Sequence, residues 1–228
     1  MSEFALPFGL ILAGGLGRRM ASTHACDEAV ADARIQTMSA PLLPEPPLPK
    51  PLQMVGGAPL IGHVIARMKP QTRGLLISVN ADFDAYARFG LPLLPDPVPG
   101  HPGPLAGVLA GLEWLAREVP GSPLLSVPAD TPFLPPDLAL RLSARHAACG
   151  RPVCAESHGH MHHTITLWPA SAAGHVRKAL KTGQLKVGTI LRALEVVSER
   201  WEGSSGDPFF NVNYAADLAV ARARITAR

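Results

Sequence analysis

A three-layer, Rossmann-like α/β/α fold around a mostly parallel sheet follows from three features of this chain. Short runs of apolar residues alternate with segments of helical period, glycines and prolines punctuate the junctions, and polar residues collect where the apolar runs stop. A strand covered on both faces loses the apolar–polar alternation of a half-exposed one, so each continuous run between helices reads as a parallel strand. With 228 residues, 47% of them apolar, the chain is long enough to bury one full core. We read residues 1–228 as a single domain carrying an insertion at 21–49.

The first strand, Phe8–Ala13, runs directly into Gly14-Gly15 and then Gly17-Arg18-Arg19. Glycines let backbone N–H groups approach an anion without a Cβ in the way, and guanidiniums fork onto phosphate oxygens. Gly17 is not followed by the Lys-Ser or Lys-Thr of a P-loop, and Met20 replaces the small third residue of a dinucleotide fingerprint. The phosphate loop is therefore of another kind. Beyond it, Ala21–Pro49 is a connection of about thirty residues, far longer than usual between elements. Within it Cys26–Met38 has weak helical character, and the proline-rich Pro41–Pro49 is expected to be extended and stiff.

The remaining elements alternate. Helical period marks Leu60–Lys69, Leu105–Val119 and Pro136–Cys149, while Gly74–Asn80, Leu91–Pro95, Ser122–Pro128 and Arg151–Ser157 read as strands. Gly103, Gly107 and Gly111 fall at every fourth position and imply close approach of a helix to the sheet. The residues Gly103 to Leu105 also open that helix and offer free N–H groups to an anion or a base. Thr131 and Asp137 are candidates to cap the helix near Pro136.

In open α/β sheets ligands bind outside the carboxyl ends of the strands. There the chain presents Gly14-Gly15, Asn80, Asp96 and Asp130. A lone Asp or Asn at such a place is usually a turn or cap residue, but four neighbouring ends point to a site.

A net charge of +3 without a basic run argues against nucleic acid and for an anionic small molecule. Three cysteines, Cys26, Cys149 and Cys154, build no disulfide framework. The N-terminal apolar run lacks a basic region before it and ends in glycines and arginines, so we expect no membrane segment and a cytoplasmic protein. The cluster Cys149, Cys154, His158, His160, His162 and His163 has the chemistry of a zinc site but no Cys-x-x-Cys pair, which favours a substrate-facing loop between two strands.

Taken in order, Leu12-Ala13-Gly14-Gly15, Arg19-Met20, Lys50 and Gly57-Ala58-Pro59-Leu60 resemble the nucleotidyltransferases of the nucleotide-diphospho-sugar transferase fold. Pro95-Asp96, Gly103-Pro104-Leu105-Ala106-Gly107, Pro128-Ala129-Asp130 and Asn211-Val212-Asn213 extend the resemblance to about Ala221. Within that superfamily it is strongest to the molybdenum cofactor guanylyltransferases. Several motifs in the right order are far more specific than one glycine loop.

The resemblance implies Mg²⁺-dependent transfer of GMP from GTP to the phosphate of molybdopterin, with release of pyrophosphate. It implies that Leu12, Ala13, Gly14, Asn80 and Asp96 contact GTP and that Gly15 and Arg19 shape the phosphate loop. By the same likeness Lys50 reaches the phosphates, Asp130 is the Mg²⁺ ligand, and His162, Asn211 and Asn213 lie on the molybdopterin side. Arg19, Lys50 and Asp130 would carry the catalysis. Transient contact with proteins that deliver or receive the cofactor is also implied. The chain departs from the family pattern at Ala21, which replaces a glycine, at Lys50, which lies beyond the insertion, and at His163, which stands where proline is usual. Cytidylyl transfer to the same acceptor, nucleotidylyl transfer to a sugar phosphate, and a non-enzymatic nucleotide- or pterin-binding adaptor are the alternatives.

Overall fold

The computed structural model describes residues 6–14, 48–98, 103–202 and 206–226. Gly15, Arg19 and the expected helix Cys26–Met38 lie outside the described residues. The chain begins with β1 (Phe8–Leu12) and resumes with a 3-10 turn, Lys50–Leu52, a two-strand hairpin, β2 (Met54–Val55) and β3 (Ala58–Pro59), and helix α1 (Leu60–Met68). Next come β4 (Leu75–Ser78), α2 (Phe83–Ala87), β5 (Leu93–Leu94), α3 (Pro104–Glu118) and β6 (Leu124–Pro128). The second half holds α4 (Leu138–Cys149), β7 (Val153–Ser157), β8 (His160–Trp168), α5 (Ala172–Lys181), α6 (Val187–Ala193), β9 (Val197–Trp201) and α7 (Ala215–Thr226).

Seven strands form one sheet in the order β5-β4-β1-β6-β8-β7-β9. The first four are mutually parallel, β8 runs antiparallel to both its neighbours, and β9 is parallel to β7. Helices cover both faces because successive strand residues point opposite ways. Leu10, Leu76, Leu124 and Cys154 pack with α3, α5 and α6, whereas Ile11, Ile77, Leu125 and Ala155 pack with α1 and α4. Fully burying one such Leu or Ile contributes about 1.5–3 kcal/mol, which is why these strands are apolar without alternation.

Local chemistry sets the helix ends. Helix α1 buries Leu60, Ile61, Val64 and Met68 along one face and gives way to a 3-10 turn containing Pro70. Helix α3 starts at Pro104, and a Cβ on Gly107 would lie 2.4 Å from Ser78 Oγ and 2.9 Å from Leu12 Cδ2. On Gly111 it would lie 2.8 Å from Leu124 Cδ2. Close approach to the sheet thus accounts for Gly107 and Gly111. Gly103 precedes the helix and faces open space, so it is not part of that stripe.

The expected cap of α4 differs as well. Asp137 occupies the N-cap position, but its side chain accepts a bond from Trp201 Nε1 at 3.1 Å rather than from its own helix. Buried Gln71 does the capping from a distance, accepting Ala139 N–H at 3.0 Å and donating to Arg67 O at 2.8 Å and Pro135 O at 2.9 Å. It ties the end of α1 to the start of α4. Among the described residues, no helix is long and apolar enough to cross a membrane.

Candidate active site

The parallel half of the sheet lines up four polar positions. Leu12 is in register with Ser78 and Pro128, and Ser78 with Leu94. Gly14, Asn80, Asp96 and Asp130 each stand two residues beyond those positions, so they form one row across β5, β4, β1 and β6. At the usual strand spacing the row spans about 14 Å.

Backbone bonding explains where the row begins. Ala13 N–H is taken by Ser78 O at 2.9 Å, and Leu12 O accepts Ala129 N–H at 3.1 Å. The sheet holds both residues in place, and Gly14 is the first with no backbone partner among the described residues. A Cβ on Gly14 would sit 3.0 Å from Asn80 Nδ2, so the glycine also lets the Asn80 amide close in. Asn80 in turn donates to Asp96 Oδ2 at 2.6 Å and accepts Asp96 N–H at 2.9 Å. Burial raises the Asp96 pKa above the ordinary 3.8, and the Asn80 hydrogen bond opposes that rise.

Asp130, at the other end of the row, is joined by Lys50. The Lys50 ammonium bonds Asp130 Oδ2 and donates to Asn213 Oδ1 at 2.9 Å. Their side chains are only 13% and 18% exposed, a setting in which an ion pair is screened less than on an open surface. Lys50 opens the 3-10 turn Lys50–Leu52, which Pro49 enters in an extended conformation and whose Pro51 and Leu52 are buried. The turn is anchored, and with it the lysine. Among the described residues, Asp130 Oδ1 is buried with no hydrogen-bond partner, as is Thr131 Oγ1 next to it in the chain. A buried carboxylate oxygen left without a protein donor suits a cation.

The resemblance points to Asn211-Val212-Asn213, and the segment Phe209–Asn213 that contains it reaches further than the two asparagines suggest. Val212 N–H donates to Asp130 O at 3.0 Å, and the buried Val212 side chain packs with Val55, Leu60 and Phe133. Asn213 is held by Asp217, whose carboxylate accepts the N–H groups of Asn213 and Tyr214 at 2.8 and 2.9 Å, tying the entry of α7 to its first turn. Asn211 is exposed, and it is Asn213 that bonds Lys50.

At the segment's other end Phe209 packs on His162, with ring centroids 4.8 Å apart. His162 lies within β8 rather than in a loop. The hairpin between β7 and β8 needs only His158 and Gly159, both with positive φ as a two-residue turn requires. His162 Nε2 is 2.8 Å from Ser157 Oγ, and Ser157 Oγ donates to Asp207 Oδ1 at 2.8 Å. Ser157 and Asp207 were not singled out in the sequence. Their only signal is proximity, Ser157 to the histidine run and Asp207 to Phe209. Burial lowers the His162 pKa from 6.5, Asp207 opposes this, and His160, His158 and His163 add to it.

The two described cysteines, Cys149 and Cys154, stand apart from this chemistry. Cys154 is fully buried, its thiol pushed up to about 12 by burial, while Cys149 closes α4 with Sγ 3.9 Å from Arg151 O. Among the described residues no three His, Cys, Asp or Glu side chains gather as a metal-binding set.

Residues 9–197 match the model of the MobA-like NTP transferase domain. The chain is 39% identical over 216 residues to a molybdenum cofactor guanylyltransferase of Bradyrhizobium, covering 93% of this chain and 90% of that one. It is 42% identical over 175 residues to one of Rhodopseudomonas palustris, covering 75% and 83%. Its fold is similar to that of the crystal structure of molybdopterin-guanine dinucleotide biosynthesis protein A from Archaeoglobus fulgidus, with a TM-score of 0.72 at 20% identity over 97% of this chain and all of that one.

Proposed function

The chain belongs to the MobA-like NTP transferase family, a nucleotidyltransferase family, and from that premise we propose that it transfers GMP from GTP to the phosphate of molybdopterin. A phosphate oxygen of the acceptor attacks the α-phosphorus of GTP, the bond to the bridging oxygen breaks, and pyrophosphate leaves. The acceptor phosphate is already ionised at neutral pH, so no side chain has to remove a proton. The protein's work is to position two anions and to stabilise charge.

The observation that carries this reading is Lys50, set by its anchored turn beside Asp130 at the carboxyl edge of the sheet. Its ammonium offers three donors, and among the described residues it bonds Asp130 and Asn213. Moving onto phosphate oxygens, it would offset the charge that builds on the nonbridging and leaving oxygens. Gly14, Asn80 and Asp96 would hold the nucleotide along the row, with Leu12 and Ala13 setting the height of Gly14. Arg19 and Gly15, from the glycine loop, would complete the phosphate contacts, and Asn211 would lie on the acceptor side with His162.

Asp130 is the residue that would hold Mg²⁺, and its buried Oδ1, without a hydrogen-bond partner among the described residues, fits that role. A metal held there would supply Lewis-acid polarisation of a phosphate. The continuous seven-strand sheet supports reading the chain as one domain, with residues 21–49 inserted. The test is pyrophosphate release with GTP, loaded molybdopterin and Mg²⁺, compared between the parent and Asp130→Ala. Release in the parent and its loss in the variant are expected. Equal signals from the two, or none from the parent, overturn the proposal.

A further inference from the structure

Outside the Lys50–Asp130 pairing lies a second chain of hydrogen bonds, Asp207–Ser157–His162, whose donors can be assigned from chemistry alone. An ionised carboxylate only accepts. Ser157 has a single hydroxyl proton, and it goes to Asp207 Oδ1 at 2.8 Å. At 2.8 Å from Ser157 Oγ, His162 Nε2 must therefore be the donor in that pair. A neutral imidazole with its proton on Nε2 carries a lone pair on Nδ1, which has no partner among the described residues. Phe209 N–H fixes the carboxylate by donating to the same Asp207 Oδ1 at 2.9 Å. The imidazole plane is fixed as well, by the Phe209 ring, which is itself backed edge-on by Trp201 at 5.3 Å and 87°.

We propose that Ser157 and Asp207 are positioning residues that lock His162 in the Nε2–H form, so that its Nδ1 accepts a hydrogen bond from a ring or amino N–H of a heterocyclic acceptor. The proposal rests on the reading of His162 as an acceptor-side residue and names what that residue selects. A bare lone pair repels a phosphate oxygen and attracts an N–H, so this end of the site chooses the heterocycle while the strand-end row takes the phosphates. Burial keeps the imidazole neutral by lowering its pKa, which preserves the lone pair at neutral pH.

Proton–nitrogen correlation NMR on the parent reads the tautomer directly. The Nε2–H form is expected at neutral pH, with a mixture of tautomers in Ser157→Ala and Asp207→Asn. In steady-state assays those variants should raise the KM for molybdopterin about fivefold, the weight of one net hydrogen bond, while kcat and the KM for GTP stay within about twofold. Ser157→Thr keeps the hydroxyl and should behave as the parent. An Nδ1–H or doubly protonated His162 in the parent overturns the proposal, as does an unchanged acceptor KM in both variants. A parent that turns nothing over overturns the guanylyl-transfer reading instead, and the tautomer then upholds or overturns the positioning chain without it.

Discussion

Lys50 bonds the carboxylate of Asp130 although eighty positions separate them in the chain. Removing the lysine takes from a mostly buried carboxylate the counter-charge and donor that it has among the described residues. Lys50→Ala should lower kcat by about a hundredfold, the usual loss when a donor aimed at transition-state charge is removed. Unfolding in urea should show a loss of about 1.5–3 kcal/mol from the missing charge-assisted bond. Lys69→Ala, at an exposed position, should match the parent in both assays. Equal kinetics for the two variants would assign the phosphate role to another residue.

Asn213 holds the same ammonium from the opposite side of the sequence, at 2.9 Å. Asn213→Ala removes one hydrogen bond to a charged group, worth about 1.5–3 kcal/mol, and should slow turnover by about ten- to a hundredfold. Asp217→Ala loosens the same asparagine indirectly by uncapping α7, at about 1 kcal/mol in stability. If Asn213→Ala reduces stability but leaves kcat unchanged, the asparagine serves folding alone.

How far the sequence reveals this molecule depends on the range of the forces involved. Parallel strands buried on both faces must be apolar, so β1, β4 and β6 stand out as runs, and the rule that ligands meet the carboxyl ends picks out Gly14, Asn80, Asp96 and Asp130. The bond between Lys50 and Asn213 joins residues 163 positions apart and leaves no periodic trace; only the resemblance brought both into view. Ser157, Asp207 and the remote cap from Gln71 act through single side-chain bonds, which no local pattern encodes. Asp137 illustrates the converse, since a good capping residue at the right place is drawn instead to Trp201. The His158-Gly159 turn is legible in hindsight, because Gly supplies one positive φ, but the histidines after it look equally like a loop.

Gly107 separates packing from ligand contact in α3. A methyl group there meets Ser78 Oγ and Leu12 Cδ2, at the ends of β4 and β1 that carry Asn80 and Gly14. Gly107→Ala should cost about 1–3 kcal/mol of stability through overpacking. It should also weaken GTP binding, measured as a smaller rise in Tm on adding the nucleotide. Gly174→Ala in α5, where a Cβ meets nothing within 4 Å, should instead stabilise by roughly 0.5–1 kcal/mol through helix propensity. A destabilised Gly174→Ala would mean that helix propensity is not what limits α5.

His162 links stability and substrate choice to pH in a direction that can be derived. Its folded pKa lies below 6.5, chiefly through burial; Asp207 from the 206–214 segment raises it, and His160, His158 and His163 of the hairpin lower it further. Well above 6.5 the imidazole is neutral in both folded and unfolded chains and adds no pH dependence. Once the pH drops below that value the unfolded chain takes up a proton that the native imidazole refuses, so stability declines until the pH falls beneath the folded pKa. Protonation of the native ring then puts a hydrogen on Nδ1 and replaces the lone pair by a donor. The KM for molybdopterin should rise as the pH falls through the folded pKa, while the KM for GTP stays level. Urea unfolding and acceptor kinetics measured across about pH 8 to 5, the window in which histidines titrate, test both parts. In His162→Phe the rise in acceptor KM should vanish and the stability slope should flatten. An unchanged profile in that variant would transfer the effect to His158, His160 or His163.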